Sequence, residues 1–320
     1  MNINKAFRIL VTGGFGYVGG RLAKTLANKG HQVILGSRKK CTVPEWLPGS
    51  EVVRMEWEEE DSLASIFQDV NIVIHTAGMN AGDCVKDPVS ALQCNGLTTA
   101  RITDISRRAG VSKFLYLSTA HVYRAPLIGD IDEDTCPRNL HPYATSHLAG
   151  ENFVLHSSRN NDEFIGVVLR LSNVVGAPVH KDVNCWMLVV NDLCRQAIAN
   201  KKINVRSNGS SVRDFVSMRV VSECIEEIIN TSKSKCESLV FNIGSGRSVT
   251  IKDLSILIKK RCEVLFGFSP EINMECAIHK PIDEFLAYKS KEVDFNVYNQ
   301  VSLESDIDET LLYCAQEWIS

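Results

Sequence analysis

The sequence predicts an α/β fold, a doubly wound parallel sheet with a smaller, mostly C-terminal lobe. Three observations predict it. A glycine-rich turn sits directly between an apolar run and a helix-length segment, strand-like runs alternate with such segments through the first half, and several of those runs are apolar almost throughout. Alternation of this kind builds parallel strands with helices on both faces, and strands covered on both sides lose their polar alternation.

The first element is Ile9-Leu10-Val11, which runs into Thr12-Gly13-Gly14-Phe15-Gly16-Tyr17-Val18-Gly19 and then a helix ending near Gly30. Gly14, Gly16 and Gly19 fit the dinucleotide (Rossmann-type) spacing. One makes the tight turn, one lets the backbone approach a pyrophosphate, and one packs helix on strand. The helix N-terminus then presents free N–H groups and a positive dipole end to phosphate. A turn that needs only positive φ would also use glycine, but the flanking strand and helix favour a cofactor cradle. Further strands follow at Gln32 to Gly36, Glu51 to Met55, Asn71 to Ala77, Lys113 to Ser118 and Phe164 to Leu169. After Asn173 the pattern loosens through Gly176-Ala177-Pro178, a helix from Asp182 to Asn200 and the turn-rich segment 207–211. Phe215 to Ile229 returns to the sheet, while Val249 to Phe266 and the tail belong mainly to the small lobe. The expected division is 1–173 with a return segment 215–243 for the Rossmann-type domain, and 174–214 with 244–320 for a substrate-binding lobe.

Composition removes several function classes. The chain has 320 residues, 44% apolar, which supports an ordinary globular core. Lys and Arg number 35 against 38 Asp and Glu, so the net charge of -3 gives no electrostatic footprint for nucleic acid. The stretch from Met1 to Arg8 carries no apolar export segment. The run Phe164 to Leu169 stops at Arg170, and no stretch approaches the roughly 18 apolar residues of a membrane span. A cytoplasmic protein is expected. The 11 cysteines lie scattered, with no Cys-x-x-Cys pair or zinc-spaced His, so reduced thiols and no metal are expected. Gly-x-Ser-x-Gly and His-Glu-x-x-His are both absent, which removes two hydrolase classes.

Two further segments carry chemistry: Leu117-Ser118-Thr119-Ala120-His121-Val122-Tyr123 at a strand end, and Tyr143-Ala144-Thr145-Ser146-His147 on a helix. With the glycine loop, Thr76-Ala77-Gly78, Asn95, Leu169-Arg170-Leu171-Ser172-Asn173, Arg213-Asp214-Phe215-Val216 and Phe241-Asn242-Ile243-Gly244-Ser245-Gly246, the chain resembles the extended short-chain dehydrogenase/reductase family. Members of that family act chiefly on nucleotide sugars. The resemblance implies a cofactor site of Gly13, Gly14, Phe15, Gly16, Tyr17, Val18, Gly19, Ala77, Gly78, Tyr143, His147 and Ser172. It also implies Thr119 and Tyr143 as the proton-transfer pair beside the nicotinamide.

The family lysine, four residues after the tyrosine, is replaced by His147. That lysine bonds the nicotinamide ribose, and its fixed charge lowers the tyrosine pKa from about 10. A histidine keeps a donor but is mostly neutral at pH 7. Oxidation needs tyrosinate and reduction needs the phenol, so the substitution favours reduction or a redox step assisted mainly by the cofactor's own charge. His121 stands where family dehydratases and certain epimerases place a proton-moving residue. It reads either as an acid or base near pH 7 or as a histidine bonding a loop carbonyl.

The cofactor's adenosine end falls on Gly36-Ser37-Arg38-Lys39-Lys40, which lacks the acidic residue that NAD enzymes use on the ribose. Ser37 and Arg38 suit a 2'-phosphate, so NADP is expected over NAD. Trp57-Glu58 replaces a usual aspartate against adenine, with Trp57 either stacking on the base or packing in the core. Asn173 and Arg213 match positions that contact the substrate diphosphate; Arg213 with Asp214 reads alternatively as an internal ion pair. Arg124 stands where relatives have Gly, and Met218-Arg219 replaces a usual Val-Asp. Family members commonly form homodimers through a four-helix interface, which the resemblance implies helices 88–109 and 141–159 would supply here. The expected activity is an NAD(P)-dependent reductase or epimerase of a nucleotide-activated sugar. The alternatives are a reductase of a small carbonyl compound and a degenerate NAD(P)-binding scaffold.

Overall fold

A computed structural model describes residues 6–159, 163–231, 239–275, 285–291, 293 and 302–318. Parts of the expected lobe, including 276–284 and 294–301, therefore lie outside the described residues. In chain order the first elements are β1 (Arg8–Thr12), α1 (Tyr17–Asn28), β2 (Gln32–Ser37), β3 (Glu51–Arg54), α2 (Glu60–Phe67) and β4 (Ile72–His75). Next come α3 (Ala81–Lys86), α4 (Pro88–Ala91), a π-helical segment (Leu92–Thr98), α5 (Thr99–Arg108), β5 (Lys113–Thr119), β6 (Gly129–Ile131), α6 (Pro142–Ser158) and β7 (Ile165–Leu171). The remainder is β8 (Asn173–Val175), α7 (Val189–Asn200), β9 (Lys202–Val205), β10 (Val212–Ser217), α8 (Met218–Asn230), β11 (Val240–Ile243), β12 (Ser248–Thr250), α9 (Ile251–Phe266), β13 (Glu271–Met274), β14 (Leu286–Tyr288) and α10 (Leu303–Trp318).

Seven strands form one sheet in the order β11-β7-β5-β4-β1-β2-β3. Every neighbouring pair is parallel, with Leu10 in register with Ile34 on one side and Val73 on the other. The apolar runs are explained by coverage of both faces. Ile9 and Val11 point into a core shared with Leu22 and Leu26 of α1 and Val221 and Ile225 of α8. Leu10, between them, points into the opposite core with Phe67 of α2, Ile102 of α5 and Val154 of α6. The chain leaves β1 toward β2 and β3, then crosses to β4 on the other side, so the crevice for a ligand opens beyond the carboxyl ends of β1 and β4.

A second core gathers α7, α9 and α10 around Leu193, Leu254 and Leu311, beside a three-stranded sheet ordered β12-β10-β8. The return to the main sheet begins inside β10: Phe215 belongs to the second core and Val216 to the first. Alternation of side chains along a strand makes both assignments true at once.

Two expected helices are corrected. The segment 88–109 is not one continuous helix but α4, the π segment and α5. The wider turn swings the Asn95 side chain inward, where Oδ1 accepts from Met79 N at 2.8 Å and Nδ2 donates to Ser146 Oγ at 3.0 Å. Gly150 on α6 makes room for it, since a Cβ there would lie 2.6 Å from the Asn95 carbonyl oxygen. The helix expected from 182 begins only at Val189, because residues before it are held in turns by Cys185 N to Val183 O and Leu188 N to Cys185 O.

Lys113 is buried where β5 starts, and its Nζ donates to the carbonyls of Ile228, Ile229 and Thr231. A cation is thereby set against the negative end of α8. The described cysteines are free thiols, most of them buried, and Cys236 and Cys276 lie outside the described residues. No helix among the described residues is long and apolar enough to cross a membrane.

Candidate active site

The glycine loop caps the carboxyl end of β1. Its positive φ falls on Gly13, at +68°, at the start of the turn that contains Gly14 and Gly16. Gly16 N bonds Gly13 O at 2.8 Å, closing the turn. Gly14 is needed for packing instead: a Cβ there would meet Val11 O and the Leu35 side chain. A Cβ on Gly19 would collide with Gly13 O and Thr76 Oγ1, so this glycine sets α1 tight against the strand ends. No side chain caps α1, whose N-cap is Gly16, so its first-turn N–H groups are left for an anion. These features fit a dinucleotide phosphate. Tyr17 and Val18 open α1 and line a neighbouring cleft. The Tyr17 hydroxyl is buried and donates to Gly176 O at 2.6 Å, and Val18 packs against the core.

A cleft of about 250 Å³ leads from the loop along Gly13, Phe15, Gly36, Arg38, Trp57, Ala77 and Gly78. It widens to about 1070 Å³ where Arg38, Trp57 and Glu58 are joined by Arg54 and Arg101, two arginines that sequence reasoning missed. Ser37 Oγ accepts from Lys39 N at 3.2 Å, fixing the turn that carries Arg38 to the mouth. Arg38 forms no hydrogen bond or ion pair with any described residue. Trp57 packs in the core and also borders the cleft. Its ring lies edge-on to His75, 6.5 Å between centroids. Its carbonyl accepts from Arg101 Nη1 at 2.7 Å, which anchors that arginine.

Thr119, His121, Tyr143 and His147 line one further cleft of about 450 Å³ with Gly78, Ser172 and Asn173. Thr119 ends β5, and Tyr143 and His147 lie one turn apart on α6, their rings 4.5 Å between centroids and edge-on. Burial pushes the Tyr143 phenol above its ordinary value, partly offset by its hydrogen bond with Thr119. Burial also holds His147 down to about 4. At neutral pH the pair is therefore a phenol beside a neutral imidazole.

A bond from the His121 ring to a loop carbonyl is not found among the described residues. The His121 carbonyl accepts from Asn139 Nδ2 at 2.7 Å, whereas its ring faces the cleft with no hydrogen-bond partner among the described residues. Burial first, then Arg213 and His141, lower its pKa, so it stands as a free base. Arg213 is thereby placed beside His121, its Nη1 donating to Val212 O at 2.9 Å. Asp214 leaves the opposite face of β10, where it accepts from Ser172 Oγ at 2.6 Å and from Ser245 N and Oγ. Asn173 Nδ2 donates to Asp214 O at 2.9 Å. Asp214 thus braces the two cleft residues Ser172 and Asn173. Sequence reasoning also missed His75, Thr99 and Tyr116, which lie buried behind His147. A histidine inside an otherwise apolar strand was the available signal. Among the described residues no cluster of His, Cys, Asp and Glu is arranged to hold a metal ion.

A doubly wound sheet with a glycine cradle at its crossover, and a Thr, Tyr and His grouped beyond its strand ends, defines a nicotinamide-dinucleotide class of site. The chain belongs to the NAD dependent epimerase/dehydratase family, whose model matches residues 9–244, and this is the family that the sequence motifs resemble. A UDP-glucose 4-epimerase of Haemophilus influenzae is 25% identical over 285 residues, 81% of this chain and 84% of that protein. Among solved structures, a Thermus thermophilus UDP-glucose 4-epimerase complex with NAD superposes with TM-score 0.78 at 21% identity, covering 96% of this chain and 98% of that one. A Bacillus cereus UDP-glucuronic acid 4-epimerase in complex with UDP-glucuronic acid and NAD gives 0.76 at 22%, covering 97% and 100%.

Proposed function

We propose that this protein transfers hydride at a carbonyl or hydroxyl carbon of a nucleotide-activated sugar, in the reducing sense, with NADP(H). The observation that carries the reading is Tyr143 edge-on to His147, 4.5 Å between centroids, in a cleft that shares Thr76 and Gly78 with the one lined by Gly13 and Gly16; burial keeps the phenol protonated and the imidazole neutral. The nicotinamide, when bound in its reduced form, would supply the hydride. Tyr143 gives its proton to the substrate oxygen, and Thr119 holds that oxygen through its hydroxyl. Arg213 and Asn173 suit the diphosphate, the guanidinium by bidentate bonds. The relatives that bind or act on UDP-sugars support this substrate class, though they do not separate reduction from epimerisation.

The NADP assignment rests on Arg38, an unpartnered guanidinium at the adenosine end. Charge-assisted bonds to a phosphate contribute about 1.5–3 kcal/mol. Arg38→Ala is therefore expected to weaken NADPH about 10- to 100-fold in a fluorescence titration at fixed salt and to leave NADH nearly unchanged. A wild-type preference for NADH would remove the assignment and keep the class.

The reducing rate is expected to be flat between about pH 6 and 9, since His147 charges only near 4 and Tyr143 loses its proton only above its ordinary range. His147→Lys puts a cation beside the phenol and is expected to lower the alkaline limb by about 1–3 pH units. A limb that stays in place would separate His147 from Tyr143's ionisation.

His121 is the second proton-moving group in this reading. Its free-base ring in the cleft suits removal of the proton from the carbon next to the sugar's keto group, the charge passing to the keto oxygen, and return of a solvent-exchanged proton to that carbon. Solvent deuterium incorporated into product by the wild type and lost in His121→Ala would support it, whereas unchanged incorporation would end it. A second copy of the chain is the proposed partner of the exposed apolar residues Val89, Leu92 and Leu97 on α4 and the π segment and Phe153 on α6.

A further inference from the structure

A buried polar chain runs behind His147, on the side of the ring away from the cleft. His75 places Nδ1 2.6 Å from Thr12 Oγ1 and Nε2 3.1 Å from Thr99 Oγ1. Thr99 donates its hydroxyl proton to the Asn95 carbonyl at 2.7 Å. Tyr116 Oη stands 3.3 Å from that same carbonyl and 2.8 Å from His147 Nδ1. His75, Thr99, Tyr116 and His147 are all buried, and the rings of Tyr116 and His147 stack at 5.7 Å.

Each hydroxyl has one proton, so the direction of the chain can be counted. Thr99 has spent its proton on Asn95 O and must accept from His75 Nε2–H. His75 Nδ1 is then bare and takes the proton of Thr12, whose oxygen faces Ala77 N–H at 3.5 Å. Tyr116 also has one proton, and two acceptors compete for it. The Asn95 carbonyl is already served by Thr99 and is 0.5 Å farther than His147 Nδ1, by the difference of 3.3 and 2.8 Å.

We propose that Tyr116 is a positioning residue that donates to His147 Nδ1 and so fixes the imidazole as the Nε2–H tautomer, its donor turned toward the cleft. Nε2 lies beside Gly78, where a Cβ would stand 3.8 Å from it, and has no partner among the described residues. Resting on the function proposed above, this tautomer supplies the one N–H that a lysine would otherwise direct at the nicotinamide ribose. The opposite tautomer would offer the cleft a bare lone pair and no donor. Burial keeps the Tyr116 phenol well above its ordinary value and the imidazole neutral, so both hold the required protonation state at pH 7.

The test is a long-range 1H–15N correlation on full-length protein labelled at histidine, with the His147 signals identified by their loss in His147→Gln. Wild type is expected to show protonated Nε2 and bare Nδ1. In Tyr116→Phe the two tautomers are expected to mix, and NADPH to bind about five- to tenfold more weakly. A wild-type Nδ1–H tautomer overturns the proposal, as does an Nε2–H tautomer that persists unmixed in Tyr116→Phe. Should Tyr116→Phe fail to fold, the wild-type spectrum decides alone between the two proton directions. A protein that binds no NADP(H) would sink the proposed function while leaving the tautomer readout intact.

Discussion

Tyr143→Phe is expected to turn over about 10²- to 10⁴-fold more slowly than wild type, the usual contribution of a positioned acid or base. That corresponds to about 3–5.5 kcal/mol of transition-state stabilisation. The change removes one oxygen from a ring that is otherwise held by packing against His147, so the α6 backbone and the cleft walls keep their places. The loss should therefore appear in kcat, with KM for the sugar nucleotide and affinity for reduced nicotinamide close to wild type. Stopped-flow hydride transfer under single turnover separates the chemical step from product release. Unchanged single-turnover rates would take Tyr143 out of the mechanism and require another proton donor in the cleft.

How much of this was legible in the sequence differs from element to element for physical reasons. Five of the six expected main-sheet strands were readable because burial on both faces forces apolar runs, as at Lys113–Thr119 and Ile165–Leu171, whereas the edge strand Glu51–Arg54 has no buried residue. The glycine loop was readable because its close approaches admit no Cβ, yet Gly13, which takes the positive φ and whose Cβ would meet Thr76 and Ala77, lies outside the spaced trio. The π segment had no signature: its bonding register is fixed by Asn95 reaching Met79 and Ser146, which lie far along the chain. Tyr116 read as one more apolar strand residue, and only its hydroxyl, 2.8 Å from His147, distinguishes it. Arg54 and Arg101 were missed because they come from separate elements and converge only at the cleft.

Glu151→Ala is expected to destabilise the protein by about 3–5 kcal/mol, because it strands a buried guanidinium. Glu151 is 0% exposed and Arg170 6%. The carboxylate accepts from Arg170 Nη2 at 2.7 Å and from Nε at 3.1 and 3.2 Å, and Ser118 Oγ donates to it as well. Arg170 Nη1 reaches Tyr123 Oη at 2.8 Å, and that hydroxyl donates to Asn242 Oδ1. The pair thus ties α6 to β5, β7 and β11, two turns along the helix from Tyr143 and one from His147. Replacing both partners, as Glu151→Met with Arg170→Met, removes the charge together with its counter-charge and should cost less than Glu151→Ala alone. Urea unfolding of the two variants reads the comparison directly, through midpoints at equal slope. A double variant less stable than the single one would mean that the ion pair itself, rather than the avoidance of a lone buried charge, holds α6 in position. In that case Tyr143 and His147 would depend on the pair for their alignment, and the double variant would lose turnover along with stability.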